Sequence, residues 1–299
     1  MTGKGKSAFM IGAMVVSWSI YYAVSKIMVS ATGSATLAGF LLRSFALVFL
    51  TVQLLADRSF SRLLKQGKAV YVLLLIGLFG FLLDLFANLG YAGGSLSTGT
   101  ALLKTDVLMV NFATVIIYKK KLYPSDWVGT AVMLIGVLLV LGVEFGEMRF
   151  AVTDLYFILS ALCVTANAFI IKKAQQQYGA DADTISYYNN FIVLVLFGCS
   201  ALATGDFTPS AFGTIPGFWW LAALGGLAQT GIYFFYYRNL KKYEVWVVKL
   251  YLLLMPVVSC FIGVLFLNEM LTVKKIIGIF VVLAGAAVIL LRGRINHET

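Results

Sequence analysis

The sequence predicts an all-α integral membrane protein: ten transmembrane helices as two inverted-topology five-helix repeats around a central cavity. Three observations carry this expectation. The first is composition. Of 299 residues, 61% are apolar and 12% are charged, and the mean hydropathy is +0.92. Ordinary soluble domains carry about 25% charge, so lipid must be the solvent for much of the surface. The second is spacing. Apolar runs fall at 8–29, 34–55, 69–91, 96–118, 126–143, 153–172, 184–204, 217–238, 244–267 and 272–291. About 20 residues at about 1.5 Å rise cross a hydrocarbon core of about 30 Å. The third is recurrence. Leu122, Gly129 and Gly136 return as Leu271, Gly278 and Gly285 at a constant offset of 149, each time within a helical hairpin. Such a recurrence marks an internal duplication, which divides one integrated transmembrane domain into residues 1–148 and 149–299.

The order of the runs sets the topology. The first run follows Lys4 and Lys6, as a secretory signal would, but its length and the nine runs behind it mark it as retained. Sixteen Lys and Arg residues, from Lys4 to Arg294, fall in one set of ends and loops. The other set holds only Arg149, Lys274 and Lys275. This asymmetry places both termini in the cytoplasm of a multi-pass protein of the plasma or inner membrane. Each half then holds five spans, an odd number, so two copies in one chain must point in opposite directions. Outlying matches agree: Lys26 falls on Lys173, and Arg43 on Asn190, both at an offset of 147.

Several functions are excluded. The net charge of +10 is distributed through short loops between apolar runs and does not signal nucleic acid. Cys163, Cys199 and Cys260 lie inside apolar runs, with no metal or disulfide spacing. His297 is the single histidine and sits in the polar tail. No phosphate-cradling glycine loop, HExxH or serine–histidine arrangement occurs, so no cofactor, no metal and no enzymatic activity are expected.

Charge within the spans is costly and marks the candidate site. Arg43 lies near the middle of span 2, Asp84 in span 3, and Lys104 and Asp106 in span 4. Lys26 and Lys249 lie nearer span ends, where a lysine can snorkel to the interface. Arg43 and Asp84 could form a structural pair that touches no substrate. Lys104 and Asp106 are two apart, about 200° around a helix, and can share a cavity only if that helix is bent. Polar stripes accompany these charges: Asp84, Asn88 and Tyr91 in span 3, and Gln229, Tyr233 and Tyr236 in span 8. Lipid offers such groups no partner, so they must bond neighbouring helices or line water. Span 1 adds Trp18, Tyr22 and Ser25, and span 6 adds Ser160 and Asn167. Lys249 and Pro256 share a face of span 9. Glycines seven apart, Gly129/Gly136 and Gly278/Gly285, give spans 5 and 10 smooth faces for close helix approach.

Ten spans, a duplicated five-span unit, and Pro256, Glu269, Gly278 and Gly285 closing the second half together resemble the drug/metabolite transporter superfamily, of the ten-helix EamA type. Trp18, Lys26 and Arg43 stand where that family tends to carry such residues. The resemblance implies a cavity lined by helices 1, 3, 4, 6, 8 and 9, and movement of small organic solutes, often outward. One position departs from internal symmetry: Lys120 stands where the second half has Glu269. The residues expected at the substrate are Trp18, Tyr22, Asp84, Asn88, Lys104, Asp106, Asn167, Gln229, Tyr233 and Lys249. Lys104 or Lys249 would hold a substrate carboxylate, and Asp84 or Asp106 an amine or a coupling proton. An amino-acid-like, zwitterionic or anionic solute is favoured. A cationic drug or quaternary amine is the alternative, and a membrane-embedded enzyme acting on a lipid-linked substrate is the rival from another class. The expected partners are that small molecule and the phospholipid membrane, with the chain a monomer or homodimer.

Overall fold

The computed structural model describes residues 3–65, 69–93, 102–117, 119, 121–140, 151–208, 219–255, 257–258 and 272–295. Pro256, Glu269, Lys120, Cys260 and His297 lie outside the described residues. The fold is all-helical. In chain order the helices are α1 (Gly3–Thr32), α2 (Ala35–Ala56), α3 (Val70–Gly93), α4 (Asp106–Ile116) and α5 (Pro124–Val140). The second half supplies α6 (Val152–Gln177), α7 (Ala182–Ala203), α8 (Trp219–Lys242), α9 (Val245–Tyr251) and α10 (Val273–Ile295). A 3₁₀ turn, Phe60–Lys65, follows α2, and another, Leu252–Leu254, extends α9.

Each helix falls on one of the ten apolar runs. Among the described residues, α2, α3, α6, α7 and Ser7–Thr32 of α1 are long and apolar enough to cross a membrane. The shorter α4 begins late because the chain turns at Lys104–Thr105, after helical Leu102 and Leu103. The membrane-facing surface carries large apolar side chains such as Val48, Leu55, Tyr71 and Leu162. Inside, Met14, Leu37, Leu42, Leu73, Ile76 and Ile185 are fully buried in one core that joins α1, α2, α3 and α7.

The two halves use the same local devices. A glycine with positive φ separates α1 from α2 (Gly33, +65°) and α6 from α7 (Gly179, +66°). L-residues are strained in that region. A side-chain cap follows each time: Ser34 accepts from the Leu37 amide, and Asp181 accepts from the Asp183 and Thr184 amides.

Packing follows a regular pattern. α3 packs on α6 as α1 packs on α8, and α8 packs on α2 as α3 packs on α7. α2 with α7, α4 with α9, and α5 with α10 are further pairs. Exchanging each helix for the one five places along returns these seven pairs. Side-chain bonds fix the ends. Asp206 after α7 accepts from Ser34 before α2, and Lys26 near the end of α1 donates to the Tyr91 carbonyl near the end of α3. At the opposite end Lys242 of α8 donates to Ser7 of α1, and Arg238 of α8 pairs with Asp183 at the start of α7. Thus α1, α3 and α7 finish at one end of the bundle, while α2, α6 and α8 finish at the other.

The expected close approach of α5 and α10 is present. A Cβ on Gly136 would stand 2.6 Å from the Val282 amide nitrogen, and one on Gly278 would stand 2.6 Å from that of Val140. Only glycine permits backbone contact at this distance.

Candidate functional site

At the centre of α2, Arg43 is only 2% exposed. Burial of a guanidinium is tolerable only with a counter-charge and filled donors. Asp84 of α3 supplies both: its Oδ2 accepts from Arg43 Nε at 3.0 Å and from Nη2. Tyr233 of α8 accepts from Arg43 Nη1, and Tyr21 of α1 donates to Asp84 at 2.9 Å. The structural pair considered from the sequence is therefore formed, and it draws Tyr233 into the same cluster.

A second charged group sits where α4 meets α9. Lys249 is 1% exposed, so it does not snorkel, and its Nζ donates to Asp106 Oδ2 at 2.8 Å. Asp106 occupies the first turn of α4, where the helix dipole also favours negative charge. Its other oxygen, Oδ1, is buried with no hydrogen-bond partner among the described residues. Lys104 is also buried, and among the described residues its ammonium meets the Met255 sulfur at 3.0 Å and the Tyr22 ring at 5.8 Å. Thioether sulfur is a weak acceptor. The helical break at Lys104–Thr105 supplies the bend that lets Lys104 and Asp106 line one cavity.

Two small cavities adjoin these charges. The larger, about 30 Å³, lies beside Arg43, Asp84, Asn167, Asn189, Gln229 and Tyr233. The smaller, about 10 Å³, lies beside Tyr22, Lys104, Asp106, Lys249 and Met255. Trp18 and Val164 line both and stand between them. The Trp18 ring is held edge-on by Tyr22 at 5.3 Å and Tyr236 at 5.9 Å. These spaces suit one or two waters and not an organic solute, so this conformation is closed around its polar centre.

The expected residues thus divide. Trp18, Tyr22, Asp84, Lys104, Asp106, Asn167, Gln229, Tyr233 and Lys249 each line one cavity or the other. Asn88 lines neither. It accepts from Ser25 at 2.8 Å and donates to the Ala35 carbonyl at 3.1 Å, tying α3 to α1 and α2. Ser160 likewise serves helix packing, donating to the Leu83 carbonyl. Within the cavity set, Asp84, Tyr233 and Lys249 already have protein partners. Trp18 Nε1, Asn167 Oδ1 and Asp106 Oδ1 have none among the described residues.

Asn189 and Met255 are among the lining residues that the sequence does not single out. Asn189, beside the matched Asn190, belongs to a polar cluster opening span 7, and doubled asparagine in an apolar run was its signal. Met255 lies 149 residues beyond Asp106, the offset of the recurring hairpin, so the repeat itself pointed to it.

Apolar helices that bring Arg43, Lys104 and Lys249 together with Asp84 and Asp106 define an integral membrane protein built around a polar interior. Lipid-facing or core packing alone would not retain such groups. The profile of the EamA-like transporter family matches residues 5–142 and 151–291, one match in each half. The chain belongs to this family of integral membrane transporters. No curated protein matches the sequence. A solved structure described as "Crystal structure of protein" superposes with a TM-score of 0.71 at 21% identity, over 95% of this chain and 98% of that one. At this identity it establishes shared fold alone.

Proposed function

We propose that the protein is a secondary transporter, an exporter, of small amino-acid-like solutes working by alternating access across the cell membrane. Two inverted five-helix repeats, with both termini cytoplasmic, rock about the polar centre. The exchange-symmetric helix contacts and the opposite ends at which α1 and α6 finish support the inverted reading.

One observation carries the choice of solute. Arg43 is matched by Asp84, and Lys249 by Asp106, which among the described residues leaves Lys104 with a thioether and an aromatic face. A buried ammonium without a counter-ion is costly, and a substrate carboxylate would relieve that cost. Asp106 Oδ1, lining the same cavity, would accept from the substrate amine or from a coupling proton. The quaternary-amine reading needs a cavity-lining carboxylate free of cations, and both that line these cavities, Asp84 and Asp106, have one. The water-sized cavities correspond to a closed state that substrate must open, a population shift and not a rigid fit.

The test is uptake into proteoliposomes. Lys104→Met should reduce amino-acid flux by at least about tenfold, the cost of one lost charge-assisted bond, while the purified variant keeps its melting temperature. Undiminished flux would remove Lys104 from the site and the solute assignment with it.

A further inference from the structure

We infer that the substrate carries a neutral side chain that both donates and accepts hydrogen bonds, a carboxamide foremost, read by Asn167 and the Trp18 indole. This rests on the amino-acid reading above and extends it to the far side of Trp18.

Asn167 is 5% exposed, and its Oδ1 is buried with no hydrogen-bond partner among the described residues. Trp18 Nε1 is buried and equally unpaired. Both line the larger cavity, and Trp18 also lines the smaller one with Lys104 and Asp106. Val164, which lines both, precedes Asn167 by three residues on α6, about 4.5 Å along the axis and on the same face. A solute whose carboxylate and amine meet Lys104 and Asp106 would therefore extend its side chain past the indole toward Asn167.

The chemistry at that end is specific. The charges lining the larger cavity, Arg43 and Asp84, are bonded to each other, so a charged side chain would arrive without a counter-ion. An apolar side chain would expel the water the cavity can hold and leave Asn167 and Trp18 unpaired. A carboxamide pairs with the Asn167 amide through two antiparallel N–H···O=C bonds and can also accept from the indole N–H. A site that hydrogen-bonds its ligand rejects analogues lacking the group far better than one that only excludes volume.

Purified protein would be titrated with L-glutamine, L-leucine, L-glutamate and L-lysine, following the melting temperature, with counterflow in proteoliposomes as a second readout. Glutamine should bind at least about tenfold more tightly than the other three. Asn167→Leu should bring glutamine to within about threefold of leucine without weakening leucine. Asn167→Ala carries the same test should the leucine variant fail to fold. Leucine binding as tightly as glutamine, or glutamine binding unchanged in the variant, would overturn this inference and leave the amino-acid reading standing. No response of the wild type to any amino acid would sink both.

Discussion

Asn190 donates to the Arg43 carbonyl at 3.0 Å, and the Arg43 guanidinium reaches back to Asn190 Oδ1 at 3.5 Å. The two residues are 147 apart, on α2 and α7, at positions matched between the halves of the sequence. Their partners are matched too: Asp84 and Tyr233 lie 149 apart, and both bond Arg43. One half thus contributes a charged pair and the other a neutral pair to a single cluster. Asp84→Asn should destabilise the protein by about 3–5 kcal/mol, because it strands a buried guanidinium. Replacing both partners, Arg43→Met with Asp84→Leu, should recover most of that loss. Denaturation midpoints of the purified variants would show it; a silent Asp84→Asn would mean that the pair does not hold the fold.

The parts legible in the sequence were those set by helix length and by exact recurrence. The ten runs, the glycine seam of α5 and α10, and the Arg43–Asn190 match needed no coordinates. Lys249 was ambiguous because distance from a span end does not reveal a carboxylate on another helix. Ideal helix geometry puts Lys104 and Asp106 on opposite faces, and the turn at Lys104–Thr105 unites them. The match of Lys26 to Lys173 was one residue out. Lys172 is the lysine that donates to the Leu240 and Tyr243 carbonyls, as Lys26 does to that of Tyr91. A run of two lysines does not announce which one turns inward.

Met255 occupies the position in the second half that Asp106 holds in the first, and each takes a lysine from the opposite half. Met255→Glu would give Lys104 a permanent counter-ion and remove the unmatched charge. Amino-acid flux should fall by about tenfold or more, with the fold retained. Lys104→Met in the same background should not restore transport, since the new carboxylate would then stand unpaired. Measured counterflow for the single and double variants decides this; full activity of Met255→Glu would show that substrate does not need a free Lys104.

Asp206 joins the two halves at one membrane face, accepting from Ser34 at 2.7 Å, from Thr204 at 2.6 Å and from Thr36. Partial burial pushes its carboxyl up, but the three hydroxyls outweigh this and hold it below the usual carboxylate value. A depressed folded value means stability that is present above the unfolded value of about 3.9 and lost as pH falls through the folded one. Because the group is only partly buried and screened by solvent, the contribution should stay below about 1 kcal/mol. Asp206→Asn should therefore melt slightly below wild type at pH 7, and the two curves should converge in strong acid. A gap that persists in strong acid would assign the effect to lost packing instead.

The seam between α5 and α10 can be tested one methyl at a time. Alanine at Gly278 would place Cβ 2.6 Å from the Val140 nitrogen and 2.8 Å from the Gly136 carbonyl oxygen. Those are backbone atoms and cannot rotate aside, so the helices must separate. Gly278→Ala should cost about 1–3 kcal/mol, the range for overpacking a tight contact. Gly12→Ala in α1 is the control, with nothing within 4 Å of the added methyl, and should be neutral or stabilise by up to about 1 kcal/mol through helix propensity. Gly136 and Gly278 face the same point of contact, each near the other's carbonyl oxygen. Once one methyl has spread the helices, the second meets less resistance, so the double variant should lose less than the sum of the singles. Additive losses in the denaturation midpoints would mean that the two glycines relieve separate contacts.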